Sequence, residues 1–258
     1  MDTMNDAALF LVTHGSRDRR SWLALQNLVS VARSKSALYI GGGCLEGQEL
    51  SLAQQLMQFA DEVNQLGGTE IIIMPVFLLA GVHVSEDIPT EVAIAQNQLS
   101  EKLQKPLKFR ITPHLGTDSQ ISSLLLQQFE KYRVQEILST PSGSIPNHTL
   151  INEKDQGRIL IAHGTQRMGA NQAIEDLAND CHAIAAYWGV EPKIETQIEK
   201  LLAQGITKID VLPYFLTEGG ITEAVAKKLQ IYSDRLQIRQ LPVPLSSEQI
   251  VDLLWKFI

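Results

Sequence analysis

The segment IIIMPVFLLAGVHVSEDIPTE, residues 71–91, decides the fold, because an apolar strand in it runs into a turn and then into a helix. Residues 71–74 form the continuous apolar run of a strand that is covered on both faces of a parallel sheet, and Pro75 fits only near the end of such a strand. Ser85, followed by two acidic residues, is typical of a helix start. His83 therefore lies between a strand end and a helix start, which is where ligands bind in open α/β sheets.

Composition and charge limit the possible classes of protein. The chain has 258 residues, of which 44% are hydrophobic and 20% charged, as in ordinary globular proteins. A formal net charge of -7, with no run of five or more Lys or Arg, argues against a nucleic-acid partner. Cys44 and Cys181 lack CxxC spacing, so neither a zinc knuckle nor a disulfide framework is predicted. The N-terminal apolar run is too short to span a membrane and has no basic leader, so we expect a cytoplasmic protein without a membrane partner.

Strands alternate with amphipathic helices along the first half of the chain. Residues 7–13 form an apolar run that ends at a His-Gly-Ser turn, and residues 37–40 form a second short strand ahead of three glycines. Residues 71–74 follow as the third strand, and residues 107–112 as the fourth. This alternation predicts a parallel sheet with right-handed crossovers.

The sequence also contains an internal repeat, which predicts two homologous α/β lobes, each with a four-stranded parallel sheet flanked by helices. Three segments recur in the same order along the chain. They are FLVTHGSRDR (10–19) over ILIAHGTQRM (159–168), IIIMPVFLLAG (71–81) over IDVLPYFLTEG (209–219), and RITPHLGTDSQISSLL (110–125) over RQLPVPLSSEQIVDLL (239–254).

The stretch between the two copies is predicted to be a linker, since residues 139–157 are rich in Ser, Pro, Asn and Gly and lack apolar periodicity. We expect an N-terminal lobe of residues 1–133 that carries the active site and a linker of residues 134–157. A degenerate C-terminal lobe of residues 158–258 follows.

The two copies differ at the histidines. His14 has a counterpart in His163, whereas His83 aligns with Ile221, so only the first lobe keeps both imidazoles. The second lobe is then a wall, lid or scaffold. Because one chain holds both copies, we expect a monomer with internal pseudo-symmetry.

His14 and His83 are the candidate metal ligands and catalytic residues. Strands one and three are usually neighbours in such a sheet, so the two imidazoles should meet over its carboxyl ends. Two imidazoles suit Fe(II), Co(II), Ni(II) or Zn(II) and leave coordination positions open for exchange. Histidine also titrates near neutrality and can accept substrate protons. The alternative reading is that each histidine only caps a helix or packs in a turn.

Three motifs resemble the sirohydrochlorin chelatase family, the class II chelatases. They are THGSRD (13–18), LEGQELSLAQQL (45–56) and PVFLLAGVHVSEDIP (75–89). Members of this family insert Fe(II), Co(II) or Ni(II) into sirohydrochlorin without ATP. The resemblance covers nearly the whole chain and is to the long form of the family, which has two lobes.

The resemblance implies that His14 is a metal ligand and proton acceptor and that His83 is the second metal ligand. It implies no cofactor beyond the divalent metal substrate, which is Fe2+ or Co2+, with Ni2+ possible. Arg17 is a candidate donor to the carboxylates of the tetrapyrrole substrate. The other residues placed against the tetrapyrrole, in a cleft between the lobes, are Glu46, Glu49, Leu78, Leu79, Ala80, Gly81 and Val82.

Two features refine this expectation. Glycines 41–43 are expected to let the backbone approach the macrocycle. Leu50 stands where the family usually has proline, which leaves the role of the neighbouring Glu49 open.

Several functions fit these features. The favoured one is insertion of Fe2+ to give sirohaem, and the nearest alternative is insertion of Co2+ on the route to cobalamin. A metal or tetrapyrrole carrier that binds without inserting is a second class. A periplasmic-type binding protein also has two α/β lobes, but the missing export signal and the histidine asymmetry count against it.

Overall fold

The computed structural model describes residues 6–102, 107–139 and 156–258, and the side chains of all of these except residues 133–139. The first repeat contributes four strands, β1 (Ala7–Gly15), β2 (Tyr39–Glu46), β3 (Glu70–Pro75) and β4 (Lys108–Ile111). Its helices are α1 (Arg19–Ser34), α2 (Leu52–Gln65), α3 (Ile88–Lys102) and α4 (Ile121–Ser139). The strands form one parallel sheet in the order β2-β1-β3-β4.

The two inner strands of this sheet are buried on both faces. Residues 8–12 of β1 and 71–75 of β3 are all buried, because helices cover both sides of the sheet. The predicted apolar run at 71–74 and the predicted pairing of the first and third strands are confirmed.

The second repeat forms a second parallel sheet in the same pattern. Its strands are β5 (Gln156–Ala162), β6 (Ile184–Tyr187), β7 (Lys208–Pro213) and β8 (Gln237–Gln240), in the order β6-β5-β7-β8. Its helices are α5 (Gln172–Asp180), α6 (Ile194–Ala203), α7 (Gly220–Gln230) and α8 (Ser247–Leu254). Val12 pairs with Pro75 in the first sheet, and Ile161 pairs with Pro213 in the second, so the repeat extends to the register of the strands.

The predicted end of the second strand is wrong, because β2 continues through the glycines 41–43 to Glu46. A Cβ on Gly41 would lie 2.5 Å from the Phe59 ring, and one on Gly43 would lie 2.7 Å from the Gln55 side-chain oxygen. The absent side chains therefore allow α2 to pack closely on the strand. Sequence periodicity could not show this, since a glycine run usually indicates a turn.

The boundaries of the compact parts of the chain differ from those of the repeat. α4 continues to Ser139, past the expected start of the linker at residue 134, and the rest of the expected linker up to residue 155 lies outside the described residues. One compact unit comprises residues 1–118 and 245–258, and the other comprises residues 119–244. Relative to the predicted lobes of residues 1–133 and 158–258, α4 of the first repeat belongs to the second unit, and α8 of the second repeat belongs to the first. The two copies have thus exchanged their last helices.

Arg158 of β5 fixes α4 to the second sheet. Its side chain is only 10% exposed, and its guanidinium forms an ion pair with Glu130 of α4 and lies 5.2 Å from the centre of the Phe129 ring. It also donates to the carbonyl of Cys181 at 3.1 Å. Removal of α4 would leave this nearly buried guanidinium without the Glu130 carboxylate. The cost in free energy would be larger than for a broken ion pair on the surface.

Polar contacts fix α8 to α1 of the first unit. Lys35 pairs with Asp252 at 2.6 Å, and the Asn27 amide donates to the Ser247 hydroxyl at 2.8 Å. The inner face of α8 is apolar and buried, with Leu254 only 1% exposed. The last helix of the second repeat is therefore part of the core around the first sheet.

We predict that Leu254→Ala destabilises the first unit, although the residue belongs to the second repeat. A buried Leu→Ala change costs about 2–5 kcal/mol in the free energy of unfolding. Amide hydrogen exchange should accelerate mainly in β1 and α1. Leu229→Ala on α7, which packs in the core of the second sheet, is the matched control and should accelerate exchange in β5 and β7. Faster exchange confined to β5 and β7 in Leu254→Ala would contradict the assignment of α8.

Candidate metal site

Three side chains that can bind a metal lie together at the carboxyl ends of the first sheet. They are His14 near the end of β1, Glu46 at the end of β2, and His83 after β3. One ligand atom from each lies within 4.8 Å of the other two, and no other such group of three occurs among the described residues. The His14 and His83 rings meet edge to face, with centroids 4.4 Å apart and planes at 89°. The predicted approach of the two imidazoles is confirmed.

Two glycines allow the backbones at the ends of β1 and β2 to approach each other closely. Gly15, with φ +78°, pairs with Glu46, and a Cβ there would lie 2.1 Å from the Glu46 carbonyl oxygen. Gly47, with φ +80°, approaches Ser16 so closely that a Cβ would lie 2.0 Å from its carbonyl oxygen. Only glycine adopts this left-handed backbone without strain. The interlocked turns fix the Glu46 backbone against the residues that follow His14.

The second imidazole is carried by a loop, residues 76–82, and by the single π-helical turn His83–Asp87 that follows it. The short 3-10 helix after β4 supports this loop. Its Gly116 N–H donates to the Phe77 carbonyl at 2.9 Å, and a Cβ on Gly116 would lie 2.0 Å from the Leu78 carbonyl oxygen. The backbone of this 3-10 helix therefore fixes the loop in place.

Hydrogen bonds set the tautomer of both rings. The His14 Nδ1 lies 2.8 Å from the Gly15 carbonyl oxygen, and the His83 Nδ1 lies 2.7 Å from a carboxylate oxygen of Asp87. Both partners are acceptors, so each Nδ1 carries a hydrogen and each neutral ring keeps its lone pair on Nε2. Two imidazole lone pairs are thereby available as metal ligands.

The group is accessible from solvent. His14 and Glu46 are exposed, and the His83 side chain is 35% exposed. Cys44, two residues before Glu46, is buried, and burial raises the pKa of its thiol, which disfavours the thiolate that a metal would require. Two imidazoles and one carboxylate leave several coordination positions of a metal open for exchange.

The residues expected to contact the tetrapyrrole fall into two sets. Leu78, Leu79 and Val82 are half-buried, and Ala80 and Gly81 are exposed, all on the loop that leads to His83.

Arg17 and Glu49 are exposed outside this loop. Glu49 lines a separate groove along β2, together with Trp22 and Arg33. The structure brings Glu46 to the imidazoles and leaves Glu49 outside the ligand group.

The second repeat keeps one of the three groups. His163 preserves the turn of His14, with its Nδ1 3.0 Å from the carbonyl oxygen of the next residue. The strand register places Gly189 at the position of Glu46, and its N–H donates to the His163 carbonyl at 2.7 Å. Ile221 replaces the second imidazole. The predicted asymmetry of the repeats thus extends to the carboxylate.

Sequence reasoning placed Glu46 against the substrate and did not predict its position beside the two imidazoles. The signal was the length of β2, because a strand that runs through the glycines brings Glu46 to the same edge as His14. Asp87 was also missed, although an acidic residue four positions after a histidine lies within hydrogen-bonding reach on a helix.

The chain thus combines a duplicated parallel α/β sheet with an open group of two imidazoles and one carboxylate in one copy. Residues 8–132 and 157–253 match the CbiX protein family, and the chain belongs to that family. The resemblance to sirohydrochlorin chelatases is thereby confirmed.

Curated relatives support the same family. The chain is 29% identical over 160 residues to the chloroplastic sirohydrochlorin ferrochelatase of Arabidopsis thaliana, a match that covers 62% of this chain and 60% of the plant protein. It is 31% identical over 110 residues to the sirohydrochlorin cobaltochelatase of Methanosarcina barkeri, covering 42% of this chain and 78% of that protein.

Solved structures share the fold. SirB from Bacillus subtilis, determined with Fe3+, superposes with a TM-score of 0.74 over 97% of this chain and 93% of SirB, at 17% identity. None of the helices formed by the described residues has the length and apolar character to cross a membrane.

We predict that Glu46→Gln weakens Co2+ binding by at least about tenfold, because an anionic ligand becomes neutral. Glu49→Gln, a neighbouring change of the same chemistry outside the ligand group, should leave the affinity unchanged. Titration with Co2+ followed by its visible absorption measures both. Equal affinities for the two variants would exclude Glu46 from the ligand set.

Proposed function

We propose that this protein is a sirohydrochlorin chelatase that inserts a divalent metal, with Fe2+ favoured, into sirohydrochlorin without ATP. The observation that carries the proposal is the open group of His14, Glu46 and His83 at the strand ends of one repeat. An insertion enzyme must bind its metal firmly enough to present it and loosely enough to release it. Three ligands on a solvent-accessible surface suit that requirement better than four ligands in a closed site.

The ligand chemistry favours iron over cobalt. Two histidines with one carboxylate are the set that non-haem Fe(II) sites use, with positions left open for other ligands. Insertion of Co2+ is the second candidate, supported by the cobaltochelatase relative and by the suitability of imidazole for Co(II).

Two surfaces beside the metal group suit a tetrapyrrole. Leu78, Leu79 and Val82 offer partly exposed apolar surface to the face of the macrocycle. The side chain of Arg17 is exposed and forms no ion pair with any described residue, so it is available to the acetate and propionate groups of the substrate.

The reaction exchanges one divalent cation for two protons. The metal leaves His14, Glu46 and His83 for the ring nitrogens, while two pyrrole N–H groups lose their protons. Once the metal is released, the Nε2 of His14 accepts one of these protons and the Glu46 carboxylate accepts the other as the new metal–nitrogen bonds form. Glu46 is exposed and can transfer protons to water.

The competing function is a carrier that binds metal or tetrapyrrole without inserting. Multiple turnovers with excess metal and metal-free sirohydrochlorin separate the two, because a carrier stops at stoichiometric binding. Anaerobic assays with Fe2+, Co2+ and Ni2+, followed by the absorbance of the macrocycle, also rank the metals.

We predict that His14→Ala and His83→Ala each lower the insertion rate by about a hundredfold or more, toward the spontaneous rate, because each removes a ligand and His14 also a base. His163→Ala is the matched control, since this histidine has the same turn but no companion ligands, and its rate should equal that of the wild type. A larger loss for His163→Ala would show that the site lies in the second repeat. No turnover by the wild type with any metal would favour the carrier.

A further inference from the structure

Asp87 contacts the metal group without belonging to it. Its carboxylate accepts from the His83 Nδ1 at 2.7 Å, while the ligand atoms of His14, Glu46 and His83 cluster without it. The Asp87 side chain is 44% exposed and lies four residues after His83. A carboxylate can accept hydrogen bonds but cannot donate them. It therefore stabilises the one neutral tautomer of His83 that has its hydrogen on Nδ1 and its lone pair on Nε2.

The contact is made across a π-helical turn. The Ile88 N–H donates to the His83 carbonyl, an i to i+5 bond that widens the backbone between the two residues. The turn His83–Asp87 contains no fully buried residue, so it is less constrained by core packing than the helix that follows. α3 continues directly from it as a regular helix.

The second repeat provides an internal comparison. The shared register of β3 and β7 places Ile221 at the position of His83 and Val225 at the position of Asp87. Val225 is fully buried in the core of the second sheet, and α7 is a regular α-helix from Gly220 onward. The imidazole, the carboxylate and the π-helical turn are thus present together in one copy and absent together from the other.

This pattern distinguishes two roles for Asp87. Stabilisation of a helix start does not require a carboxylate at this position, because α7 has buried Val225 there and carries Glu223 in its first turn instead. An acidic residue kept for the imidazole would be present only where the imidazole is present, which is what the two copies have.

We propose that Asp87 is a positioning residue for metal binding, which fixes the tautomer and orientation of His83 so that its Nε2 is presented to the metal beside His14 and Glu46. The role of Asp87 in metal insertion rests on the proposed function, whereas its role in metal binding does not.

The test is Co2+ binding to the full chain without tetrapyrrole. Asp87→Ala should weaken the affinity about 10–100-fold and alter the visible absorption of bound Co2+, because loss of an outer-shell carboxylate releases the ring. Asp87→Asn should be intermediate, since the amide oxygen can still accept but the amide nitrogen can donate to the wrong tautomer. Asp61→Ala, which removes an exposed ion pair with Lys102 on the same unit, should change neither property.

A double-mutant cycle excludes a merely structural role. In a His83→Ala background, Asp87→Ala should have no further effect on Co2+ affinity, because its partner is gone. Wild-type Co2+ affinity and absorption in both Asp87 variants would overturn the proposal, as would an equal loss with and without His83. Thermal unfolding of each variant confirms that a loss of affinity is not a loss of fold.

The outcome is independent of the insertion assay. A wild type that does not insert metal, with Co2+ binding that depends on Asp87, would contradict the chelatase and support the positioning role. A wild type that inserts metal, with Asp87 variants that bind Co2+ normally, would support the chelatase and contradict the positioning role.

Discussion

The parallel pairing of β1 between β2 and β3 is the constraint on which the site depends. All three strands run in one direction, so their carboxyl ends meet at one edge of the sheet and bring together residues that are far apart in sequence. The pairing of Gly15 with Glu46 and of Val12 with Pro75 fixes how far each strand extends. A slip of one residue in either pairing would reverse the faces to which the side chains of that strand point and would change which residues lie at this edge. Backbone hydrogen bonds, far more than contacts among the ligands, therefore create the metal group.

The elements that follow from local sequence could be predicted, and those that depend on distant packing could not. The buried strand at 71–74, the duplication and the approach of His14 and His83 follow from apolar runs, self-similarity and the usual neighbours in such a sheet. The extension of β2 through its glycines depends on the position of Phe59 of α2, which no periodicity reveals. The sequence therefore did not place Glu46 beside His14 and His83. The contact of Asp87 with His83 depends on a π-helical turn, which has no simple sequence pattern.

The two repeats show how little of the sheet depends on the metal group. The second copy keeps the strand order and register although Gly189, Ile221 and Val225 stand where the first has two carboxylates and an imidazole. In that copy Val225 contributes apolar contacts to the core, whereas in the first copy the corresponding position is polar and half exposed. The architecture is compatible with either choice, so the difference between the copies reflects function more than fold.

The exchange of the last helices has a consequence for synthesis on the ribosome. The strands of the first sheet lie within residues 7–111, but the helix that completes their core lies at 247–254. A nascent chain that ends before residue 245 contains His14, Glu46 and His83 but lacks α8, which covers part of the core of the first sheet. The unit of residues 119–244 is contiguous in sequence. Domains fold as their sequence emerges, so the copy without the complete metal group is finished first, and the copy that carries it is completed last.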